Sequence, residues 1–162
     1  MKIKFFTTGG TIDKVYFDAK SEFEVGEPQV REVVENSNVA FEYEIESILR
    51  KDSLDMTDVD RDLVKKRIEG EPCNLVVVTH GTDTMIETAK RLRGIPNKTI
   101  VLTGSMQPAR FRVSDAGFNI GGAIAAVQAL PTGVYIAMNG RIFDPLKARK
   151  NRTKNLFEEI GD

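Results

Sequence analysis

Apolar positions along this chain follow two periods, and the switches between them outline the elements. Residues 3–7 (Ile3-Lys4-Phe5-Phe6-Thr7) read as a strand, and the polar, glycine-punctuated stretch that follows to Gly26 lacks a helical period and reads as a loop. A short helix is predicted after Pro28, to about Asn36. Phe41, Tyr43 and Ile45 alternate with Glu42, Glu44 and Glu46, the period of a half-exposed strand near a sheet edge. Thr57 with Asp60 resembles a helix N-cap, after which Val59, Leu63 and Ile68 fall close to one face and Gly70 ends the helix. Leu75, Val76, Val77 and Val78 are apolar in succession, as in a central strand covered on both faces. Met85, Ile86, Ala89 and Leu92 form a further helical stripe, closed by Gly94 and Pro96. Residues 99–102 read as another strand. Ala116, Ile120, Ala123, Ile124 and Val127 mark the clearest helix, over 114–130, and 134–138 is the last strand that the pattern supports. Strands alternating with helices predict one α/β domain over 1–162, a single doubly wound, largely parallel sheet flanked by helices.

Such a sheet binds ligands outside the carboxyl ends of its strands. Two glycine-threonine turns are predicted there: Thr7-Thr8-Gly9-Gly10-Thr11-Ile12 and Thr79-His80-Gly81-Thr82-Asp83-Thr84. Asp52-Ser53 and Gly104-Ser105 are predicted at the same edge. A hydroxyl on a glycine-rich turn meets a ligand together with backbone N–H donors. Taken singly, each turn has a plain structural reading: Gly9-Gly10 as a tight turn, Thr82 or Thr84 as a helix cap, with Glu87 completing a capping box behind Thr84. Both turns at one edge, with Asp83 beside them, favour a site in which a threonine nucleophile faces a second threonine.

The charge balance narrows the partners. With 23 basic and 24 acidic residues among 162, the net charge of -1 gives no general attraction to nucleic acid or to an anionic membrane. Cys73 is the only cysteine, which excludes an intrachain disulfide or a thiolate metal cluster and fits a reducing, cytoplasmic compartment. The N-terminus is too short in apolar residues for a signal peptide, and no apolar run approaches the roughly 20 residues of a membrane span. His80, the only histidine, reads as a structural hydrogen-bonding residue rather than a base or metal ligand. Asp52, Asp55, Asp58, Asp60 and Asp62 lack calcium-loop spacing and are predicted to be solvated. No metal or cofactor is expected. Arg141, Lys147, Arg149, Lys150, Arg152 and Lys154 form a basic segment whose plain reading is a solvent-facing stretch. Gln107-Pro108-Ala109-Arg110-Phe111-Arg112 is predicted to be a loop near the site or at a subunit contact.

Thr8-Gly9-Gly10-Thr11-Ile12 and Thr79-His80-Gly81-Thr82-Asp83-Thr84-Met85 resemble the two signature segments of the bacterial-type L-asparaginase family. The likeness extends through Asp52-Ser53-Leu54-Asp55-Met56, Val101-Leu102-Thr103-Gly104-Ser105-Met106-Gln107-Pro108 and Ser114-Asp115-Ala116-Gly117-Phe118-Asn119. The resemblance implies hydrolysis of L-asparagine to L-aspartate and ammonia through an acyl-enzyme. Thr11 matches the nucleophile, Thr82 the second catalytic threonine, Asp83 its neighbouring acid, and Lys150, counted on from Met138-Asn139, the lysine that completes the group. Lys147 and Lys154 lie near in sequence. A desolvated lysine acts as a base when its pKa is lowered. Gly10, Asp52, Ser53, Leu54, Gly81 and Ser105 form the expected substrate-binding set, in which Ser53 receives the substrate carboxylate. Backbone N–H groups at Thr11 and Thr82 are the expected oxyanion donors.

Three departures from the family pattern qualify the expectation. Family members continue into a smaller second domain that supplies residues to a neighbouring subunit's site, whereas this sequence stops at Asp162 and is expected to comprise the N-terminal catalytic domain alone. Leu54 follows Ser53 where members specific for asparagine carry Gln or Glu, and a leucine cannot accept a hydrogen bond from a substrate ammonium. Phe23 stands at the place of a loop tyrosine, and Tyr16, nearer the first turn, is the alternative. Residues 13–26 form the candidate lid. The alternatives are an amidase for a related small carboxamide lacking the amino group, and an inactive domain that binds a carboxylate or a partner protein. By the same resemblance a homo-oligomer, dimer or tetramer, is expected.

Overall fold

The computed structural model describes residues 1–17 and 22–161. Its central sheet takes β1 (Lys2–Gly9), β4 (Glu42–Lys51), β5 (Leu75–Thr79), β6 (Thr99–Thr103), β7 (Gly133–Met138) and β8 (Arg141–Phe143) in the order β4-β1-β5-β6-β7-β8. All neighbours run parallel except β8, which is antiparallel to β7. Helices α1 (Val30–Glu35) and α4 (Ala116–Ala129) cover one face, and α2 (Asp58–Glu69) and α3 (Met85–Leu92) cover the other. The doubly wound α/β architecture is the one expected.

Alternation along the strands builds two cores. Val76 and Val78 of β5 pack with Phe6, Leu102, Val64, Ile68, Met85 and Leu92, while Val77 packs with Phe5, Val101, Val34, Ile120 and Val127. Both faces of β5 are therefore apolar, which is why its sequence shows no alternation. β4 lies at an edge, and its glutamates hold lysines along it, Lys2 to Glu44 at 2.7 Å and Lys4 to Glu46 at 3.2 Å.

Chain order decides where a ligand belongs. From β1 the next sheet strand, β4, lies on one side, and β5 returns to the other. The carboxyl ends of β1 and β5 thus flank the topological switch point, where open α/β sheets form their crevice.

The structure corrects several expectations. Part of the segment read as a loop is a hairpin of β2 (Lys14–Phe17) and β3 (Glu22–Val25), with Tyr16 opposite Phe23 and Val15 opposite Glu24. Four-residue strands carry too few periods to stand out; the loop reading over 18–21 lies outside the described residues. In α2, Val59 and Leu63 are exposed and the buried face is Asp60, Arg61, Val64 and Ile68. A reciprocal capping box, Thr57 with Asp60, fixes the helix start, Val64 and Ile68 pack into the core, and Lys51 reaches the Asp60 carboxylate at 2.9 Å. Of the aspartates read as solvated, Asp55, Asp58 and Asp62 are exposed as expected, the last two paired with Arg61 and Arg91, whereas Asp60 is largely buried against Lys51 and Asp52 is half-buried against Lys14. The chain also continues past β7 into β8 and an antiparallel hairpin of β9 (Ala148–Asn151) and β10 (Leu156–Glu159), so the basic segment is structured. Among the described residues no helix is long and apolar enough to cross a membrane.

Candidate active site

Three turns meet at the switch point because glycines let them. Gly9 and Gly10 have φ of +95° and +90°, a region costly for residues with a Cβ. A Cβ at Gly10 would also run into the backbone of Gly81, and a Cβ at Gly81 would lie 2.6 Å from the Cβ and Oγ of Ser53. The turns after β1, β5 and β4 are therefore in close contact. The Gly10 N–H donates to Lys51 O at 2.9 Å and holds the first turn to the end of β4. The tight-turn reading of Gly9-Gly10 holds, and the same contact brings the two threonine turns together.

Thr11 opens a short 3-10 turn, Thr11–Asp13, and its hydroxyl has no hydrogen-bond partner among the described residues. Thr82 is 5% exposed, and its Oγ1 accepts from Lys150 Nζ at 2.8 Å. The same ammonium donates to Asp83 Oδ1 at 2.9 Å, with the Lys150 side chain 13% exposed. Arg152 approaches Asp83 at 3.5 Å. Lys150 is placed by the β9–β10 hairpin, where it stands directly opposite the buried Phe157 and so points to the same side, towards the sheet edge. Phe157 packs on Phe143, and its N–H donates to Asn139 Oδ1 at 2.8 Å; the Asn139 N–H in turn donates to Asn119 Oδ1 at 3.1 Å.

His80 is fully buried. Its Nδ1–H donates to Gly81 O at 2.7 Å and its Nε2 accepts from the Thr88 hydroxyl at 2.8 Å, an assignment that follows from Gly81 O being an acceptor only. Burial lowers its pKa to about 4, so the ring is neutral and structural. Thr84 caps α3 without the expected capping box: its hydroxyl donates instead to Ser53 O at 2.7 Å, tying the second turn to the Ser53 turn.

Ser53 is 1% exposed and sits in a second 3-10 turn, Ser53–Asp55, capped by Asp52, which accepts the Leu54 N–H at 3.1 Å. Lys14 binds the Asp52 carboxylate at 2.8 Å, and that hydrogen bond holds Asp52 below the ordinary carboxylate range. Leu54 is 62% exposed at the rim. Ser105 is buried, and its hydroxyl donates to Gln107 O within its own turn; that commitment, rather than a cleft-facing hydroxyl, is what the structure gives this expected substrate contact. Tyr16 is 54% exposed with its ring 5.4 Å from Phe23, which lies 5.9 Å from Phe111. The two aromatic candidates for the loop tyrosine are thus cross-strand neighbours, and the Tyr16 hydroxyl has no partner among the described residues.

Positioning residues escaped the motif reading. Asp115 accepts from the Met106 and Gln107 N–H groups and from Asn119 Nδ2, which also donates to Gly104 O at 3.0 Å. Ser114-Asp115-Ala116-Gly117-Phe118-Asn119 carried the resemblance, but nothing local showed that Asp115 and Asn119 bind the β6 turn and Asn119 the Asn139 turn.

A doubly wound domain with a threonine turn at its switch point and a threonine, aspartate and lysine cluster on the adjoining turn has the architecture of the catalytic half of an asparaginase. Residues 2–158 match the family model described as Asparaginase, N-terminal, and the chain belongs to that family. A glutaminase-asparaginase of Acinetobacter glutaminasificans is 38% identical over 122 residues, which covers 72% of this chain and 36% of that protein. L-asparaginase 2 of Escherichia coli is 32% identical over 166 residues, covering 95% of this chain and 47% of its own. Among solved structures, the thermostable L-asparaginase from Thermococcus kodakarensis superposes with a TM-score of 0.88 at 26% identity over 100% of this chain and 52% of that one. The chain spans between about a third and a half of the length of these relatives.

Proposed function

We propose that the chain is an asparaginase-type amidohydrolase that converts L-asparagine to L-aspartate and ammonia through a threonine acyl-enzyme. The observation that carries this reading is Lys150 Nζ, within hydrogen-bond reach of both Thr82 Oγ1 and Asp83 Oδ1 on a turn in backbone contact with the turn of Thr11. Thr11 Oγ attacks the side-chain carboxamide carbon and gives up its proton to the Thr82, Lys150 and Asp83 group, which returns a proton to the nitrogen as the C–N bond breaks and ammonia leaves. Water then attacks the ester and releases the acid. Lys150, Thr82 and Asp83 carry the protons, and the backbone N–H groups of Thr11 and Thr82 receive the oxyanion, a contribution of about 10²–10³ in rate per donor. Ser53, with Gly10 and Gly81 allowing close approach, seats the substrate carboxylate, and Asp52 holds the Ser53 turn by accepting the Leu54 N–H. On this reading Thr82 takes the family's second threonine role and Lys150 its lysine role.

Coupled ammonia release from L-asparagine, comparing the natural chain with Thr11→Ala, tests this reading. Activity that depends on Thr11 is the expected result, with a loss on the order of 10⁴-fold or more in the variant. No ammonia from asparagine, glutamine or succinamic acid at millimolar concentration overturns it.

A second reading keeps the nucleophile and changes the substrate. Leu54 is exposed beside Ser53 and offers an ammonium no acceptor, which favours a carboxamide such as succinamic acid. Turnover of succinamic acid above asparagine supports it. A cytoplasmic location and a homo-oligomeric assembly belong to the same proposal; the former rests on a single cysteine, the latter on the family, and sedimentation tests the latter.

A further inference from the structure

Immediately after the nucleophile turn lies a carboxyl group that the hydrolytic scheme leaves unused. Asp13 is 1% exposed, and both its backbone and its carboxylate are engaged. Its N–H donates to Gly10 O at 3.1 Å, its carbonyl accepts the Gly26 N–H at 2.8 Å, and its Oδ1 accepts the Gln29 N–H at 2.8 Å. Gln29 is also buried, and its Oε1 accepts from Arg110 Nε at 2.8 Å. The neighbouring Ile12 carbonyl accepts the Ala109 N–H at 3.1 Å. Residues 12 and 13 therefore close the base of the β2–β3 hairpin and tie it to the 107–112 loop. The circuit is completed at its far side, where Phe23 of the hairpin meets Phe111 of that loop.

We propose that Asp13 is a positioning residue of the amide-hydrolysing site, whose carboxylate bond to the Gln29 N–H holds the base of the hairpin, and with it the Tyr16–Phe23 aromatic pair, in register with the Thr11 turn. This rests on the proposed hydrolytic role of Thr11. A short, buried carboxylate suits the task because a bond from a backbone N–H to an ionised acceptor is stronger and more directional than one to a neutral carboxyl. The position is also sensitive to protonation. Burial pushes the Asp13 carboxyl up to about 7, against the Gln29 N–H and the charge of Arg50, and with the charge of Glu27. The charged groups around it are Arg50 and Glu27, paired at 2.7 Å, Arg110 beyond the Gln29 amide, and Lys14, held by Asp52. Deprotonation strengthens the bond, so hairpin order rises with pH through neutrality.

The test measures KM and kcat for ammonia release by the natural chain between pH 5.5 and 8.5. Beside it, indole emission is followed in a Phe23→Trp reporter, whose tryptophan is the only one because the natural chain has none. With Asp13 present, KM is expected to fall roughly fivefold as pH rises through about 7, the difference between a hydrogen bond to a charged and to a neutral acceptor, with kcat changing less. The indole emission titrates over the same interval. Asp13→Asn is expected to abolish both transitions. Arg50→Ala, a change at an exposed side chain, moves the midpoint upward by removing the cation that favours ionisation. It keeps the test open where Asp13→Asn does not fold. Ammonia release with no transition in KM or emission, or a midpoint unmoved by Arg50→Ala, overturns the positioning role. An emission change that depends on Asp13, in a chain that releases no ammonia, overturns the hydrolytic reading instead.

Discussion

The two glycine-threonine turns look alike in sequence and are held in different ways. The second turn is fixed by side chains: His80 between Gly81 O and Thr88, Thr84 on Ser53 O, and Lys150 bridging Thr82 and Asp83. The first is fixed by its backbone, by Asp13 and by Thr8, whose hydroxyl donates to Thr79 O at 3.1 Å, and Thr11 carries a hydroxyl with no partner among the described residues. A hydroxyl that attacks a carbonyl needs a base within reach once substrate is bound, a contact often loose without substrate, whereas groups that hold protons work best pre-organised. The contrast is one between a turn placed chiefly by main chain, which carries the proposed nucleophile, and a cluster placed by long-range side-chain contacts, proposed to handle protons.

After Thr11→Ala at the first turn, the largest loss of rate is expected at the second. Lys150→Met removes the only group that touches both Thr82 and Asp83 among the described residues and is expected to lower kcat by about 10²–10⁴-fold, with KM changing less. Equal effects on binding and rate would indicate a structural lysine. Crowding the contact between the two turns comes next. Gly10→Ala forces a Cβ against Gly81 at φ +90° and is expected to cost about 1–3 kcal/mol, read as a lower thermal midpoint, with activity falling as the turns separate.

Acid and base act on the two turns with opposite sign. Asp13 has a raised pKa, so its contribution to stability is complete below its unfolded value near 3.8 and is lost as pH rises to about 7. His80 has a lowered pKa, so its contribution is complete above 6.5 and is lost as pH falls to about 4. Between these limits the two slopes oppose each other. Asp13→Asn is expected to unmask the histidine: urea unfolding should show a variant more stable than the natural chain at pH 8, yet losing stability more steeply between pH 6.5 and 4. An unchanged pH profile would show that Asp13 does not titrate with folding. The buried charge thus costs global stability while it strengthens one local bond, a trade that functional sites make.

The smallest effect belongs to the rim. Leu54→Gln restores an acceptor beside Ser53 and is expected to raise kcat/KM for asparagine relative to succinamic acid by roughly fivefold, about 1 kcal/mol, without changing the thermal midpoint. A ratio that stays fixed would place amine recognition elsewhere.

Local pattern carried much of the architecture. The apolar run 75–78, the stripes of α3 and α4 and the alternation of β4 specified a doubly wound sheet, because period and burial on one or both faces are properties of neighbouring residues. The two turns were legible for a similar reason: glycine next to a hydroxyl residue after a strand is a local signal for a backbone that must approach a ligand or another turn closely. Where local and global cues diverged, the sequence misled. The buried face of α2 followed Val64 and Ile68 rather than Val59 and Leu63, and a hairpin of two four-residue strands was too short to show a period.

The sequence alone determined the five parallel strands of the sheet, the helices and the presence of two threonine turns at its carboxyl edge. Only the tertiary structure decided which lysine completes the cluster, since Lys147, Lys150 and Lys154 differ in their place on and around a hairpin, and the side that Lys150 faces is set by Phe157 packing into the core. It also decided that Ser105 spends its hydroxyl on its own turn and that Asp13 is buried next to the Thr11 turn. The reason is separation along the chain: Lys150 stands 67 residues from Asp83, and no local period reports a contact made by folding over that distance.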